Sequence, residues 1–217
     1  MKKQQGFTLI EIAIVLVIIG LLTGGVLKGQ ELIQGAKVSK AISMMNELKT
    51  SVFGFQDRYR ALPGDMSNAR QLLGNNAANC STRCDDGFIQ PWQNTSLVTN
   101  HLSAAGFYSG PYNTTEVNNV PTPQNAPTNP WGGPMFVAYS KSFIDNGNLS
   151  TRYQNGIYTG GAIPSKVLAE IDRKVDDGKP GTGSFRAAYP YYGNTCQNNG
   201  QWVIDNGSTN CSGVSLY

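Results

Sequence analysis

The sequence predicts an α+β fold: one long N-terminal helix laid across a small antiparallel sheet, with disulfides stapling the head. Three observations predict it. An apolar run over residues 7–27 leads without a break into an apolar stripe at helical spacing, and Pro63-Gly64 closes it. Short stretches with strand character recur from Met135 onward, separated by turn dipeptides. Four cysteines fall in two local groups, Cys80/Cys84 and Cys196/Cys211.

The first element opens MKKQQGFTLIEIAIVLVIIG. Phe7 to Leu27 is 21 residues, mostly Ile, Leu and Val, with Glu11 as its one charge. At the helical rise this run is about 31 Å long, enough to cross a hydrocarbon core. Lys2 and Lys3 mark its N-terminal side as cytoplasmic, so the rest of the chain lies across the membrane. A cleaved secretory signal has a shorter apolar region and a small-residue A-x-A site. Here the run is too long, and Leu22-Thr23-Gly24-Gly25 is a poor site. A plain anchor leaves Glu11 unexplained, because a carboxylate within a span costs roughly 2.5–3.5 kcal/mol and needs a partner.

Gly6-Phe7-Thr8-Leu9-Ile10-Glu11, after a basic leader and before an apolar helix, resembles the processing motif of type IV pilins and type II secretion pseudopilins. The resemblance implies cleavage after Gly6 by a prepilin peptidase and methylation of the new amine of Phe7. It also implies that Glu11 pairs with the Phe7 amine of a neighbouring subunit during assembly. The chemistry suits that role: an amine of pKa about 8 and a carboxylate of about 4.3 compensate each other's burial. The expected organisation is a leader over 1–6, a membrane and filament-core half over 7–27, an amphipathic half over 28–62, and an α+β head over 63–217.

In the amphipathic half, Val38, Ala41, Met45, Leu48, Val52, Phe55, Tyr59 and Leu62 alternate spacings of three and four. A single stripe running into a substantial downstream domain favours packing on the chain's own head over a coiled coil with a partner. The whole helix spans some fifty residues, near 80 Å. Gly20, Gly24, Gly25 and Gly29 sit where the halves join. Each weakens the helix by up to about 1 kcal/mol relative to Ala. They read equally as a stretchable weak point and as a small-residue packing face.

Beyond Leu62, residues 65–76 are read as a short helix and 110–134 as a long Pro- and Asn-rich loop. Residues 135–139, 156–159, 183–189 and 201–204 read as strands. Ser165 to Asp177 reads as a late helix with Gly178 as its stop. Four cysteines behind a membrane-targeting segment indicate two disulfides in an oxidising compartment. Short loops cost least to close, which favours local pairing, although three connectivities are open from sequence. The C-x3-C and C-x14-C spacings match no zinc finger or ribbon. The pilin resemblance further implies that a Cys196–Cys211 loop pins the C-terminal region.

Candidates for chemistry are few. Asp-Asn-Gly or Asp-Asp-Gly occurs at 85–87, 145–147, 176–178 and 205–207, and none meets the EF-hand ligand order. Turn chemistry is the favoured reading of each. Calcium is the alternative, for which Asp172, Asp176 and Asp177 form the best cluster, with Asp172 and Asp176 four apart on one helical face. Asn94-Thr95-Ser96 and Asn113-Thr114-Thr115 match glycosylation triplets in a chain rich in these residues. Tyr189, Tyr191 and Tyr192 read as sheet packing, and His101, the one histidine, as exposed. There is no phosphate loop, dinucleotide fingerprint, HExxH or GxSxG, so no enzyme is expected.

The net charge is +3, and +1 without Lys2 and Lys3, which leaves 15 basic against 14 acidic residues. That balance gives no reason to expect nucleic-acid binding. The sequence therefore predicts a structural subunit of a type IV pilus-like filament. Its expected partners are prepilin peptidase, its own copies and other pilins, an inner-membrane assembly platform and, before assembly, lipid. The precursor is expected in the bacterial inner membrane with a periplasmic head, and after assembly in a pilus or a periplasmic pseudopilus. A secretion pseudopilin and a minor pilin acting as adhesin or DNA-uptake receptor are the alternatives.

Overall fold

The computed structural model describes residues 8–91, 94–112, 121–188, 196–204 and 207–217. The chain divides into two compact units, Met1–Ser39 and Lys40–Tyr217. Helix α1 (Leu9–Tyr59) runs through the division.

In the first unit α1 is apolar on every side from Leu9 to Leu27 apart from Glu11 and Thr23, and from Leu9 to Ile33 its large apolar side chains are exposed. A helix apolar all round belongs in lipid or in a protein core, not in water. In the second unit the same helix turns one-sided. Ala41, Met44, Met45, Leu48, Val52 and Phe55 are buried, while Lys40, Asn46 and Asp57 face outward. The helix ends at Tyr59, four residues before Pro63. Arg60 takes the left-handed conformation (φ 52°) while its amide still donates to the Gln56 carbonyl at 2.9 Å.

Among the described residues three short helices follow: α2 (Ala69–Leu73), α3 (Thr95–Ala104) and α4 (Ser165–Val175). The helix expected over 65–76 thus shrinks to five residues. Its outer parts become loop, tied by Asp65, whose carbonyl accepts the Asp85 amide at 2.7 Å. Helix α3 has no counterpart in the sequence reading. The sequence Thr-Ser-Leu-Val-Thr-Asn-His-Leu is too polar to show an apolar stripe, yet all eight residues are buried. Thr99, Asn100 and His101 satisfy loops that have no ladder of their own. Thr99 donates to the Asn125 carbonyl at 2.6 Å. Asn100 accepts the Ala78 amide and donates to the carbonyls of Asn76 and Tyr112.

The strands are β1 (Phe136–Ser140), β2 (Ile144–Asp145), β3 (Asn148–Leu149), β4 (Gln154–Tyr158), β5 (Phe185–Ala187), β6 (Gln197–Asn198), β7 (Gln201–Trp202) and β8 (Gly213–Leu216). The main sheet has the order β1-β4-β8-β5, all antiparallel. Phe136 sits opposite Tyr158, and the two rings stack at 4.8 Å. Gly156 of β4 lies opposite Leu216 because a Cβ there would come within 2.4 Å of the Val214 side chain. β2–β3 and β6–β7 are two-residue hairpins. Ala138, Phe143, Tyr158, Val214 and Leu216 cluster in the core.

One side chain makes four of the hydrogen bonds that order the loop over 121–134. Asn129 donates to the carbonyls of Thr159 (2.8 Å) and Gly161 (3.0 Å) and accepts the amides of Trp131 and Gly133. That uses both donors and both lone pairs of a buried amide.

Candidate assembly segment and acidic turns

Thr8 and Glu11 close the N-terminus of α1 as a capping box. One carboxylate oxygen of Glu11, Oε2, accepts the Thr8 amide at 2.7 Å and the Thr8 hydroxyl at 2.8 Å. In return the Glu11 amide donates to the Thr8 hydroxyl at 3.3 Å. The pattern satisfies helix-end donors and puts negative charge at the positive end of the dipole. A carboxylate has room for about four donors, so the cap leaves Glu11 able to receive another.

Downstream, α1 carries no further charge until Lys28, which pairs with Glu31 at 2.8 Å on the exposed surface. The helix passes through Gly20, Gly24, Gly25 and Gly29 without interruption, and a Cβ at any of them would meet nothing within 4 Å. The stretch is long and apolar enough to cross a membrane.

The two cysteine pairs are bonded locally, Cys80 to Cys84 and Cys196 to Cys211. The second holds the β6–β7 hairpin beside α4, where the Ser165 hydroxyl donates to the Cys196 carbonyl at 2.9 Å.

The carboxylates of Asp172, Asp176 and Asp177 lie within 4.8 Å of one another. Asp176 is not on a shared helical face with Asp172, because α4 ends at Val175 and Asp176 leaves the helical conformation (φ −150°, ψ −136°). Buried Asp172 accepts the Trp202 indole N–H at 2.7 Å and the Gly178 amide at 3.1 Å. Burial pushes its pKa up to about 6, against those two hydrogen bonds, with the charges of Asp177 and Asp176 adding to the rise. Asp176 Oδ2 accepts the amides of Ser184 and Phe185, and Asp177 accepts the Lys179 amide and the Thr182 hydroxyl. The Thr182 bond holds the Asp177 carboxyl below the usual range. These acids tie the turn that leads into β5. Asn146 and Gly147, both at positive φ, form the two-residue turn of β2–β3. Asp205 and Asn206 lie outside the described residues, as do Asn113–Thr115 and Tyr189–Tyr192.

His101 corrects an expectation: it is wholly buried, not exposed. Nδ1 accepts the Gly64 amide at 2.8 Å and Nε2 donates to the Ala78 carbonyl at 2.7 Å. Burial lowers its pKa to about 4, against the Ala78 hydrogen bond. Gly64 is at φ +88°, and a Cβ there would lie 2.8 Å from the Asn94 carbonyl oxygen, so only glycine lets the chain turn so close to α3.

Among comparisons with known proteins, a family model described as the prokaryotic N-terminal methylation motif matches residues 1–27. The chain carries a prepilin-type signal. No curated protein and no solved structure matches the chain. The signal covers the predicted processing residues Gly6 and Phe7, which lie outside the described residues, and it covers Glu11. Together with the apolar helix it is consistent with anchoring of a prepilin-like precursor in the inner membrane. Its role is structural rather than catalytic in the proteins that define it, and it implies prepilin peptidase and other pilins as partners. Thr8, the capping partner of Glu11 within this signal, was missed in the sequence; the T-x-x-E spacing before an apolar run was its mark.

Proposed function

We propose that the protein is a structural subunit of a type IV pilus-like filament, cut between Gly6 and Phe7 by prepilin peptidase and methylated on the Phe7 amine. It assembles through the first part of α1, and its head over 63–217 lies outside the inner membrane. The observation that carries this reading is a helix apolar on all sides from Leu9 to Leu27 but for Glu11 and Thr23, its large apolar side chains uncovered as far as Ile33, joined to a prepilin-type signal. Such a surface is stable in lipid before assembly or against other copies of the same helix after it.

Cleavage creates an ammonium one residue before the Thr8 cap. Its charge opposes the positive end of the helix dipole, and Glu11 compensates it. When a subunit leaves the membrane for the filament, the pairing of Glu11 with a neighbour's amine offsets the burial of both charges. An unpaired Glu11 is left buried and costly, so addition of a subunit is gated by that contact.

The test is electron microscopy of cells with and without the gene, combined with mass spectrometry of the subunit. We expect a mature chain starting at methylated Phe7 and surface filaments built from it. Glu11→Gln is expected to be processed normally and to fail in assembly. Wild-type filament yield from that variant would refute the gating role. Mature subunit without surface filaments, but with loss of protein export, would instead assign the chain to a secretion pseudopilus.

A further inference from the structure

The two disulfides differ in build. Cys196 and Cys211 are both buried and lie 15 residues apart in the chain, whereas Cys80 and Cys84 are only 4 apart. A shorter loop gains less from closure, so its bond is easier to give up. Cys80 is buried, but Cys84 is half-buried and is the most open to solvent of the four cysteines. Arg83 and Asp85, on either side of it, both take the left-handed conformation (φ 51° and 58°), which is costly for a residue with a side chain. An accessible bond in a strained loop is reduced more readily than a buried, relaxed one.

The surroundings of Cys80 point the same way. Its Sγ lies 3.5 Å from the Thr82 carbonyl oxygen and 3.8 Å from Asn94 Oδ1. A disulfide sulfur has no proton, so neither oxygen receives a hydrogen bond from it, whereas a thiol there has one to give. Asn94 is wholly buried, and its Nδ2 donates to the Arg83 carbonyl at 3.4 Å, which leaves Oδ1 turned toward the sulfur. Asn94 stands at the N-cap position of α3, where an Asn side chain ordinarily accepts a backbone amide, yet it makes no such bond. A buried acceptor without a donor is rare. Here the missing donor is what reduction of Cys80 supplies.

We propose that Cys84 is a site of thiol–disulfide exchange with a reduced dithiol protein of the thioredoxin class, so that Cys80–Cys84 is a reversible pair and Cys196–Cys211 a fixed staple. A thiolate of the dithiol attacks Cys84 Sγ and forms a mixed disulfide as the Cys80–Cys84 bond breaks. The Cys80 sulfur leaves with the electron pair, takes up a proton and donates it in a hydrogen bond to Asn94 Oδ1. The second thiol of the dithiol then attacks its own partner's sulfur in the mixed disulfide, releasing Cys84 as a thiol and leaving the dithiol oxidised. Two electrons and two protons thus pass from the dithiol to the pair. Reduction lets Arg83 and Asp85 relax, and it loosens two hydrogen bonds that the loop makes to Asp65: Asp85 N–H to the carbonyl at 2.7 Å, and Gly87 N–H to Oδ2 at 2.8 Å. Asp65 follows directly on Pro63-Gly64, so the loop's hold on the chain just past α1 depends on redox state, whatever the head does in a filament.

The test equilibrates the full chain in detergent micelles with graded ratios of reduced to oxidised dithiothreitol, alkylates the free thiols and locates them by peptide mass spectrometry. Cys80 and Cys84 are expected to become reduced together, at a ratio at least about tenfold lower than Cys196 and Cys211 require. Asn94→Ala removes the acceptor and is expected to raise the ratio needed by the first pair about threefold, with the second pair as an unchanged internal reference. A thioredoxin-type protein whose second active-site cysteine is replaced by serine is expected to be trapped on Cys84. Reduction of both pairs at the same ratio in the wild type, or of Cys196–Cys211 first, would overturn the proposal. So would trapping on Cys80, or an Asn94→Ala chain whose first pair is reduced as readily as in the wild type.

Discussion

Single side chains carry much of the local order, and Asn129 in the head and Thr8 at the start of α1 make sharp tests. Asn129 joins four backbone groups from two loops through one amide. Asn129→Ala leaves those buried groups without partners, so it is expected to lower stability by about 3 kcal/mol or more, read by urea unfolding. Asn129→Asp is expected to be worse, since a carboxylate would face two carbonyl oxygens where the amide now donates. Thr8 offers a test at the other end of the chain. Thr8→Val keeps the shape and removes the hydroxyl from the capping box, an effect of about 1 kcal/mol on the first turn of the helix. The change is expected to increase fraying around Glu11, visible as faster amide exchange in the first turn, with the head's Tm unchanged.

Among the elements, what was legible in the sequence follows the strength of the periodic signal. The α1 stripe from Val38 to Phe55 could be read residue by residue, because a one-sided helix must alternate spacings of three and four. Helix α4 was legible for the same reason, with Val167, Leu168 and Ile171 buried. Helix α3 and strand β8 were not. The first hides its burial behind polar side chains that serve distant loops, and the second is only Gly-Val-Ser-Leu, too short for an alternating pattern. In the candidate assembly segment, Glu11 stood out because a charge in an apolar run is conspicuous, whereas Thr8 did not, because its role depends on geometry. Two predictions belong to this scale. Replacing both Cys196 and Cys211 by Ser opens a loop of 15 residues, and the expected loss is about 3 kcal/mol, measured by unfolding with and without reductant. Gly24→Ala with Gly25→Ala meets no steric obstacle in the single chain and favours helix by about 1 kcal/mol at each site. The double variant is expected to keep the head's Tm, so any loss of filaments reports a contact with another subunit.

At the scale of the molecule, His101 and Asp172, both buried, pull stability in opposite directions with pH. His101 has its pKa lowered from about 6.5 to about 4, so its contribution is complete above pH 6.5 and is lost as pH falls toward 4. Asp172 is raised from about 3.8 to about 6, so its contribution is complete below pH 3.8 and is lost as pH rises through 6. Each amounts to something on the order of 3 kcal/mol, and between pH 4 and 6 they nearly cancel. We expect a shallow dependence of Tm on pH over that range in the wild type. Asp172→Asn should make Tm fall as the solution is acidified from pH 7 to 4, and His101→Gln should make it rise. Asp145 does not disturb this window. Its hydrogen bond from Arg152 comes first among the causes that keep its carboxyl below the usual range, and its contribution fades only under stronger acid.

The sheet order β1-β4-β8-β5 also sets a schedule. β8 stands between β4 and β5 but follows both in the chain, so β4 has β1 alone beside it, and β5 no neighbour in the main sheet, until residues 213–216 have been made. Until then the slot between β4 and β5 stays open, with Ile157 and Phe185 lacking Ser215, the residue both face in the finished sheet. Once β8 is seated, it joins β5 to the β1–β4 pair. A chain whose sheet is still incomplete is marked by that gap, so on the proposed function finished subunits differ physically from unfinished ones before assembly.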